Sequence, residues 1–396
     1  MSDITHRQHY VPQFYMRNFS SNPTAKKEKQ GISFGDLNKN IANDNIPIKS
    51  ICYEIDFYDT ESRIENFFKT LEGQWSNTIK ELIYRKKISP KDLASIKSFI
   101  VYQNNRTLAM LNHVKKIEEQ LLCSILKHDY INNKNNFNIT PKMLIEYCDK
   151  LIYKVKDLSG CCIINHSDVS FITSDMPVVT INPFNNQSYG MINAGIIMLI
   201  PLSKEIIVAI YDKKIYSKTP DTIDIFDVKY IHQLNKYQFL NAESYILSDK
   251  KSNLELYIND NELVNMRKKI KETNIINQAT DNNSGKLHHI KARGVPYNFK
   301  LPFFKIPKYI ENIPQTCKYG LNRKYDIRQR TALIMMRDNN FNEIKEVSSQ
   351  EDIDNIKNGY RKIIAFMDKY WRINKKDIIT SEKNVKKFKM TYLKSI

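Results

Sequence analysis

Apolar positions recur at helical spacing in the first part of the chain and at strand spacing after it. From Ser62 onward, Ile64, Phe67, Phe68, Leu71 and Trp75 are spaced mostly by three or four, with Glu65 and Glu72 beside them, which predicts a helix. Ser89-Pro90 opens a second helix, the proline suiting its first turn. Good helix formers then run from Leu93 to about Leu126, and Thr140-Pro141 starts a third helix that ends around Lys156. After Gly160 the period changes to two. Cys161–Asn165, Ser170–Thr173, Val178–Ile181, Ile196–Ile200 and Ile206–Tyr211 are short β-branched runs bounded by Asp, Pro, Asn and Gly, as strands are. Thr222–Asn241 reads as helical, and Ser244–Leu247 as a last short strand. Helices first and strands afterwards predict an α+β fold, a helical layer on a mostly antiparallel sheet, over alternating βαβ units.

Polar stretches mark the divisions. Residues 20–50 are Lys- and Asn-rich and read as a loop or weak hairpin. The segment 256–285 reads as a charged helix and then a linker at Asp281–Gly285. Three parts follow: an α+β domain over 1–255, that helix and linker, and a small C-terminal α+β domain over 286–396. The last holds the apolar runs Phe299–Ile306, Ala332–Met336 and Ile363–Trp371.

Charge changes the picture more than composition does. Lys and Arg number 61 against 43 Asp and Glu, a formal net charge of +18. Such an excess favours polyanionic partners, because each phosphate neutralised releases condensed counterions. Nucleic acid is therefore the expected partner, with further copies of the chain left open. Small basic clusters lie at Lys26–Lys29, Arg267–Lys271 and Lys383–Lys389. Six cysteines show no CxxC spacing and no histidine at zinc-ligand distance. MSDITHRQ has no apolar signal-peptide core, and the most apolar stretch, Ala194–Tyr211, is broken by Pro201, Ser203, Lys204 and Glu205. A reduced, cytoplasmic protein without a membrane span is expected.

One stretch stands apart. Residues 9–19, HYVPQFYMRNF, put His9, Tyr10, Phe14, Tyr15, Arg17 and Phe19 where most chains are polar and frayed. The motif resembles the opening of an uncharacterised prokaryotic family known as domain of unknown function 4238. The resemblance continues in order through Ile64-Glu65, Leu71-Glu72, FIVYQNNRT with Gln103, Arg106 and Thr107, FITSDMPVV with Asp175, Pro201-Leu202-Ser203, and Asn235 with Asn241-Ala242, over roughly residues 5–250. Met16 stands where the family usually has leucine, a volume-conserving swap. The resemblance carries no activity with it. It implies a bacterial antiphage-defence setting and, through that, an effector acting on nucleic acid.

The candidate site is His9, Arg17, Glu65, Glu72, Gln103, Arg106 and Asp175. Glu65 and Glu72 are two helical turns apart and share a stripe; Gln103 and Arg106 share a face. In a nuclease, His9 serves as general acid or base and Arg17 or Arg106 stabilises the phosphorane, with no metal needed. Alternatively, Glu65, Glu72 and Asp175 supply oxygen ligands for Mg²⁺. The residues do not choose between these. A non-catalytic binding or sensing protein fits the same set, with His9 capping a turn, Arg17 paired to Glu65 or Glu72, Gln103 and Arg106 bonding carbonyls, and Asp175 capping the turn before Pro177. Hydrolysis of a small phosphorylated metabolite fits too, but no Gly-rich phosphate loop accompanies it. Tyr10, Phe14 and Phe19 are expected in the core.

Overall fold

Arg7–His9 (β1) pairs antiparallel with Tyr53–Ile55 further along the chain, His9 facing Tyr53. The computed structural model describes residues 6–60, 63–125, 139–272, 276–281, 285–290, 292–311, 313, 318 and 321–324. After β1, Pro12 at φ −62° leads into a single helical turn, Gln13–Met16 (α1). Tyr10, Val11, Tyr15, Met16 and Phe19 are all buried. The Tyr15 hydroxyl donates to the Pro201 carbonyl at 2.6 Å and meets Thr173 Oγ1 at 2.7 Å, and the Tyr15 and Phe14 rings lie against Phe99. The aromatic motif is core, as its composition predicts.

Gly31–Asp36 (β2) and Ile41–Pro47 (β3) form a hairpin, one of the two readings of 20–50, and Tyr53–Ile55 is β4. The helical layer follows: Arg63–Arg85 (α2), Pro90–Asn105 (α3), Leu108–Ile125 (α4), Pro141–Glu146 (α5) and Cys148–Val155 (α6). A capping box opens α3, with Ser89 Oγ accepting from the Asp92 amide and the Asp92 carboxylate accepting from the Ser89 amide. The long helix expected over Leu93–Leu126 is two helices. It breaks at Arg106-Thr107, where Thr107 Oγ1 accepts from the Met110 amide at 3.2 Å and starts a new helix. The third expected helix is likewise split, into α5 and α6.

Ser159–Asn165 (β5), Thr173–Ser174 (β6), Val179–Ile181 (β7), Ile197–Ser203 (β8), Ile206–Tyr211 (β9) and Thr222–Ile225 (β10) come next. One sheet runs β10-β5-β9-β8-β7, antiparallel except for β10 beside β5. Thr222–Ile225, read as helical from sequence, alternates in burial as an edge strand does. Val228–Asn241 (α7) is the helix, and Tyr245–Ser248 (β11) joins β3-β2-β11-β6, the second sheet. Cys162, Ile164, Met198, Ile200, Leu202, Ile206, Val208 and Ile210 share one core with Phe68, Trp75 and Phe99 of the helical layer. The residues between them are buried as well, so both faces of β5, β8 and β9 are covered. The fold is α+β.

Lys251–Ile258 (α8), Asn261–Glu272 (α9), and the hairpin of Ile276–Asp281 (β12) with Gly285–Ile290 (β13) follow. The chain divides into compact units over 1–305 and 306–396, beyond the helix and linker expected over 256–285. Residues 292–305 belong to the first unit for a physical reason. The Val295 amide donates to Thr180 O at 2.8 Å, the Tyr237 hydroxyl donates to Phe299 O at 2.6 Å, and Phe304 sits edge-on to Tyr211. In the second unit Lys308–Glu311 is a helical turn (α10); Ala332–Met336 and Ile363–Trp371 lie outside the described residues. No helix among the described residues is long and apolar enough to cross a membrane.

A fragment of residues 1–305 should fold cooperatively, whereas one ending at 285 loses buried Val295, Leu301 and Phe304. At roughly 1.5–3 kcal/mol each, that removes about 5 kcal/mol or more. Urea unfolding of the two fragments checks this; equal midpoints would refute it.

Candidate functional site

Among the described residues, Arg106 is the largest fully buried side chain. Its position at the break between α3 and α4 turns the guanidinium inward rather than along a helix face. Nη1 donates to Glu72 Oε1 at 2.7 Å, Nη2 to the His9 carbonyl at 2.8 Å, and Nε to the Tyr58 hydroxyl at 3.0 Å. Its Cζ lies 3.9 Å from the Phe68 ring centroid, a cation–π contact. Burial opposes the charge, but Tyr58 and Glu72 more than offset it and push the guanidinium above its ordinary range. Glu65, two turns away on the same stripe of α2, is raised by burial against the pull of Arg106. The sequence places Glu65 and Glu72 together correctly. The partner of Glu72, however, is Arg106 and not Arg17.

Arg17 donates to Gln13 Oε1 at 2.9 Å, four residues back, and burial lowers its pKa. Gln103 is wholly buried and donates to the Tyr10 carbonyl at 3.0 Å. His9 is lowered from 6.5 to about 4, by burial first and then by Arg106, while a bond to the Lys49 backbone works the other way. At neutral pH it is an uncharged imidazole whose Nε2 is buried and unpaired. Six of the seven predicted residues thus fall around the N-terminal motif, and those with partners are bonded to one another, to backbone, or to the side chains of Gln13 and Tyr58.

Asp175 is elsewhere in role. Its Oδ1 accepts from the Glu243 amide at 2.9 Å, and its Oδ2 accepts from Ser244 at 2.7 Å and Tyr245 at 3.1 Å. Burial raises it from 3.8 to about 6, with the Ser244 and Glu243 amides pulling it back. It anchors the turn between α7 and β11. Glu65, Glu72 and Asp175 therefore do not assemble as an Mg²⁺ ligand set, and among the described residues no group of three or more His, Cys, Asp or Glu is arranged to hold a metal ion.

The turn that Asp175 anchors forms part of a cavity of about 200 Å³. Helix α4 contributes Ala109, Asn112, His113 and Lys116, at positions i, i+3, i+4 and i+7 of one face. Leu240, Asn241 and Glu243 come from the end of α7, Ile270 and Lys271 from α9, and Ala292–Pro296 from the strap that follows β13. Cations dominate it. Arg293 donates to Glu243 Oε2 at 3.1 Å and to the Asn241 carbonyl at 2.9 Å, and its Nε is buried without a partner. Lys271 and, behind it, Arg267 both donate to the Glu243 carbonyl. Burial works against the Glu243 carboxylate, yet Arg293 and Lys271 hold it below the usual range. His113 is lowered to about 4, by burial and then by Arg293. Lys116 has no hydrogen bond or ion pair among the described residues.

The sequence reading misses this cavity. Its readable signals are the basic cluster Arg267–Lys271, which supplies Lys271 and, behind it, Arg267, and the one-face spacing of His113 and Lys116 on α4. Arg293 carries no local signal, since only folding of the strap brings it to Asn241, a contact 52 residues apart.

Residues 7–252 match the family described as protein of unknown function (DUF4238). No curated protein and no solved structure matches the chain.

Arg106→Met should destabilise the protein by about 3 kcal/mol, the lower end for breaking a buried ion pair because Glu72 keeps access to water. Arg106→Lys should not restore it, since an ammonium lacks the planar fork that spans three acceptors. Urea denaturation measures both, and a loss below about 0.5 kcal/mol, the range of neutral surface changes, would contradict the role given to Arg106.

His9 makes stability fall with acid. The unfolded chain binds its proton near pH 6.5, the folded one only near 4, so stability is lost as pH drops through that window. Two to three pKa units correspond to about 3 kcal/mol. Asp175, raised to about 6, acts in the opposite sense between about 4 and 6. Replacing His9 with Gln should flatten the acid limb of a stability–pH curve; an unchanged slope would show that His9 is not held neutral.

Proposed function

Since the chain belongs to the DUF4238 family, a family of unknown function, we propose a reading from the cavity itself: a nucleic-acid-engaging effector that grips phosphate between Lys116, Lys271 and Arg293. The observation that supports it is the charge of that wall, three cations against the single carboxylate of Glu243. Lys116 is free to meet an anion without giving up a partner. The net charge of +18 acts in the same direction, drawing polyanions to the surface before any close contact forms. The setting we propose is antiphage defence in the cytoplasm, where the sequence resemblance points. The Arg106 cluster then serves the fold, because its polar groups are already paired.

Cleavage of the bound strand is the second reading, favoured by His113. This imidazole borders the cavity, is neutral at physiological pH, and has no hydrogen-bond partner among the described residues. A neutral histidine accepts the proton of an attacking hydroxyl or water, and Arg293 and Lys271 are the cations a phosphorane requires. The catalytic role expected of His9 moves to His113 on this reading.

Fluorescence anisotropy with single-stranded RNA and DNA tests the first reading. Affinity should fall steeply between about 50 and 200 mM salt, with a log–log slope near −0.7 per phosphate contacted. Lys116→Gln should weaken binding by about tenfold, the worth of one charge-assisted hydrogen bond, and make the slope shallower. No binding at the lower salt would overturn the reading. Denaturing gels of the same oligonucleotides, with His113→Ala as control, decide the second.

A further inference from the structure

We infer that the cavity is built for a phosphate bearing two negative charges, a phosphomonoester such as the end of a strand, rather than for the singly charged phosphodiester along its length. This rests on the reading of the cavity as a nucleic-acid site and names the chemical form it selects.

Charge balance is the first ground. Lys116, Lys271 and Arg293 line the space against Glu243 alone, which leaves two positive charges uncompensated. Arg267 stands behind, with its donors on the carbonyls of Ala242 and Glu243, and both Asp175 oxygens are taken by backbone amides. Uncompensated charge in a confined space is costly, and an arriving anion is worth most when it neutralises the whole excess. A phosphodiester brings one charge. A phosphomonoester brings 1.5 to 2 at pH 7, by the usual second ionisation near 6.

Room and donors are the second ground. A cavity of about 200 Å³ is smaller than sites that enclose drug-sized molecules, roughly 300–1,000 Å³, and suits a terminal group rather than a run of nucleotides. Three donors are unspent there: Arg293 Nε, buried and without a partner; Lys116, which bonds to nothing described; and Asn112, exposed on the same face of α4. A planar guanidinium with a free N–H matches the spacing of phosphate oxygens. His113 adds a fourth through the one N–H of its neutral ring.

Strand ends and free nucleotides share this chemistry, so the experiment separates them. Binding of one oligonucleotide is measured with a 5′-phosphate, with a 3′-phosphate and with hydroxyl ends, beside a nucleoside 5′-monophosphate, at fixed salt. A phosphorylated end should bind about tenfold or more tightly than the hydroxyl end, one added charge-assisted contact. The preference should vanish in Lys116→Gln and return in Lys116→Arg, with unchanged melting temperatures showing that both variants fold. Equal affinity for phosphorylated and hydroxyl ends would overturn the inference and leave the nucleic-acid reading standing. Binding of the mononucleotide without any oligonucleotide would keep the monoester and overturn the nucleic-acid reading. Binding of neither would overturn both.

Discussion

A positive charge with no access to water has to be paired, and in this protein that requirement falls on Arg106. Its guanidinium joins three segments that are far apart in the chain: the carbonyl of His9, the carboxylate of Glu72 and the hydroxyl of Tyr58. None of these can be withdrawn cheaply, because an unpaired buried charge costs several kcal/mol. The helix break at Arg106-Thr107 is therefore more than a lapse in periodicity. A straight helix would carry the side chain past its acceptors; the break lets α3 end where the charge must point and lets α4 leave in a new direction. That direction presents Asn112, His113 and Lys116 to the cavity.

What could be read from the sequence follows from where the physics is local. Helices α2 and α3 were readable because apolar residues repeat along them and Ser89-Pro90 opens α3 in the standard way. The strands from Ser159 to Tyr211 were readable because β-branched runs end at turn residues. The strand Thr222–Ile225 was missed because four residues are too few to outweigh the helix-like stretch after them. The single long helix was misread because Asn104, Asn105 and Thr107 do not forbid a helix; the tertiary partners of Arg106, with the Thr107 cap, break it.

The site residues divide in the same way. Sequence spacing put Glu65 and Glu72 on one stripe, and both feel Arg106. It gave Arg17 the wrong partner, since a salt bridge across 34 residues between α2 and the end of α3 leaves no trace in local pattern. Asp175 was picked out for chemistry, yet its oxygens hold the turn at Glu243. That turn in turn shapes the cationic cavity, so Asp175 bears on the cavity from behind its wall. His9, Gln103 and Asp175 are polar groups placed for the backbone they bind.

The bonds of the N-terminal motif also fix an order of events in time. Tyr15 reaches the Pro201 carbonyl across 186 residues, and His9 reaches Arg106 across 97. The motif leaves the ribosome well before β8, on which Tyr15 docks. Until Pro201 is made, Tyr10, Phe14, Tyr15 and Phe19 lack part of their final core, and closing so long a loop is slow. A cluster of exposed aromatic side chains on a growing chain is the kind of surface that aggregates or recruits chaperones. The segment that completes the core is thus one whose burial must wait until Pro201 is made.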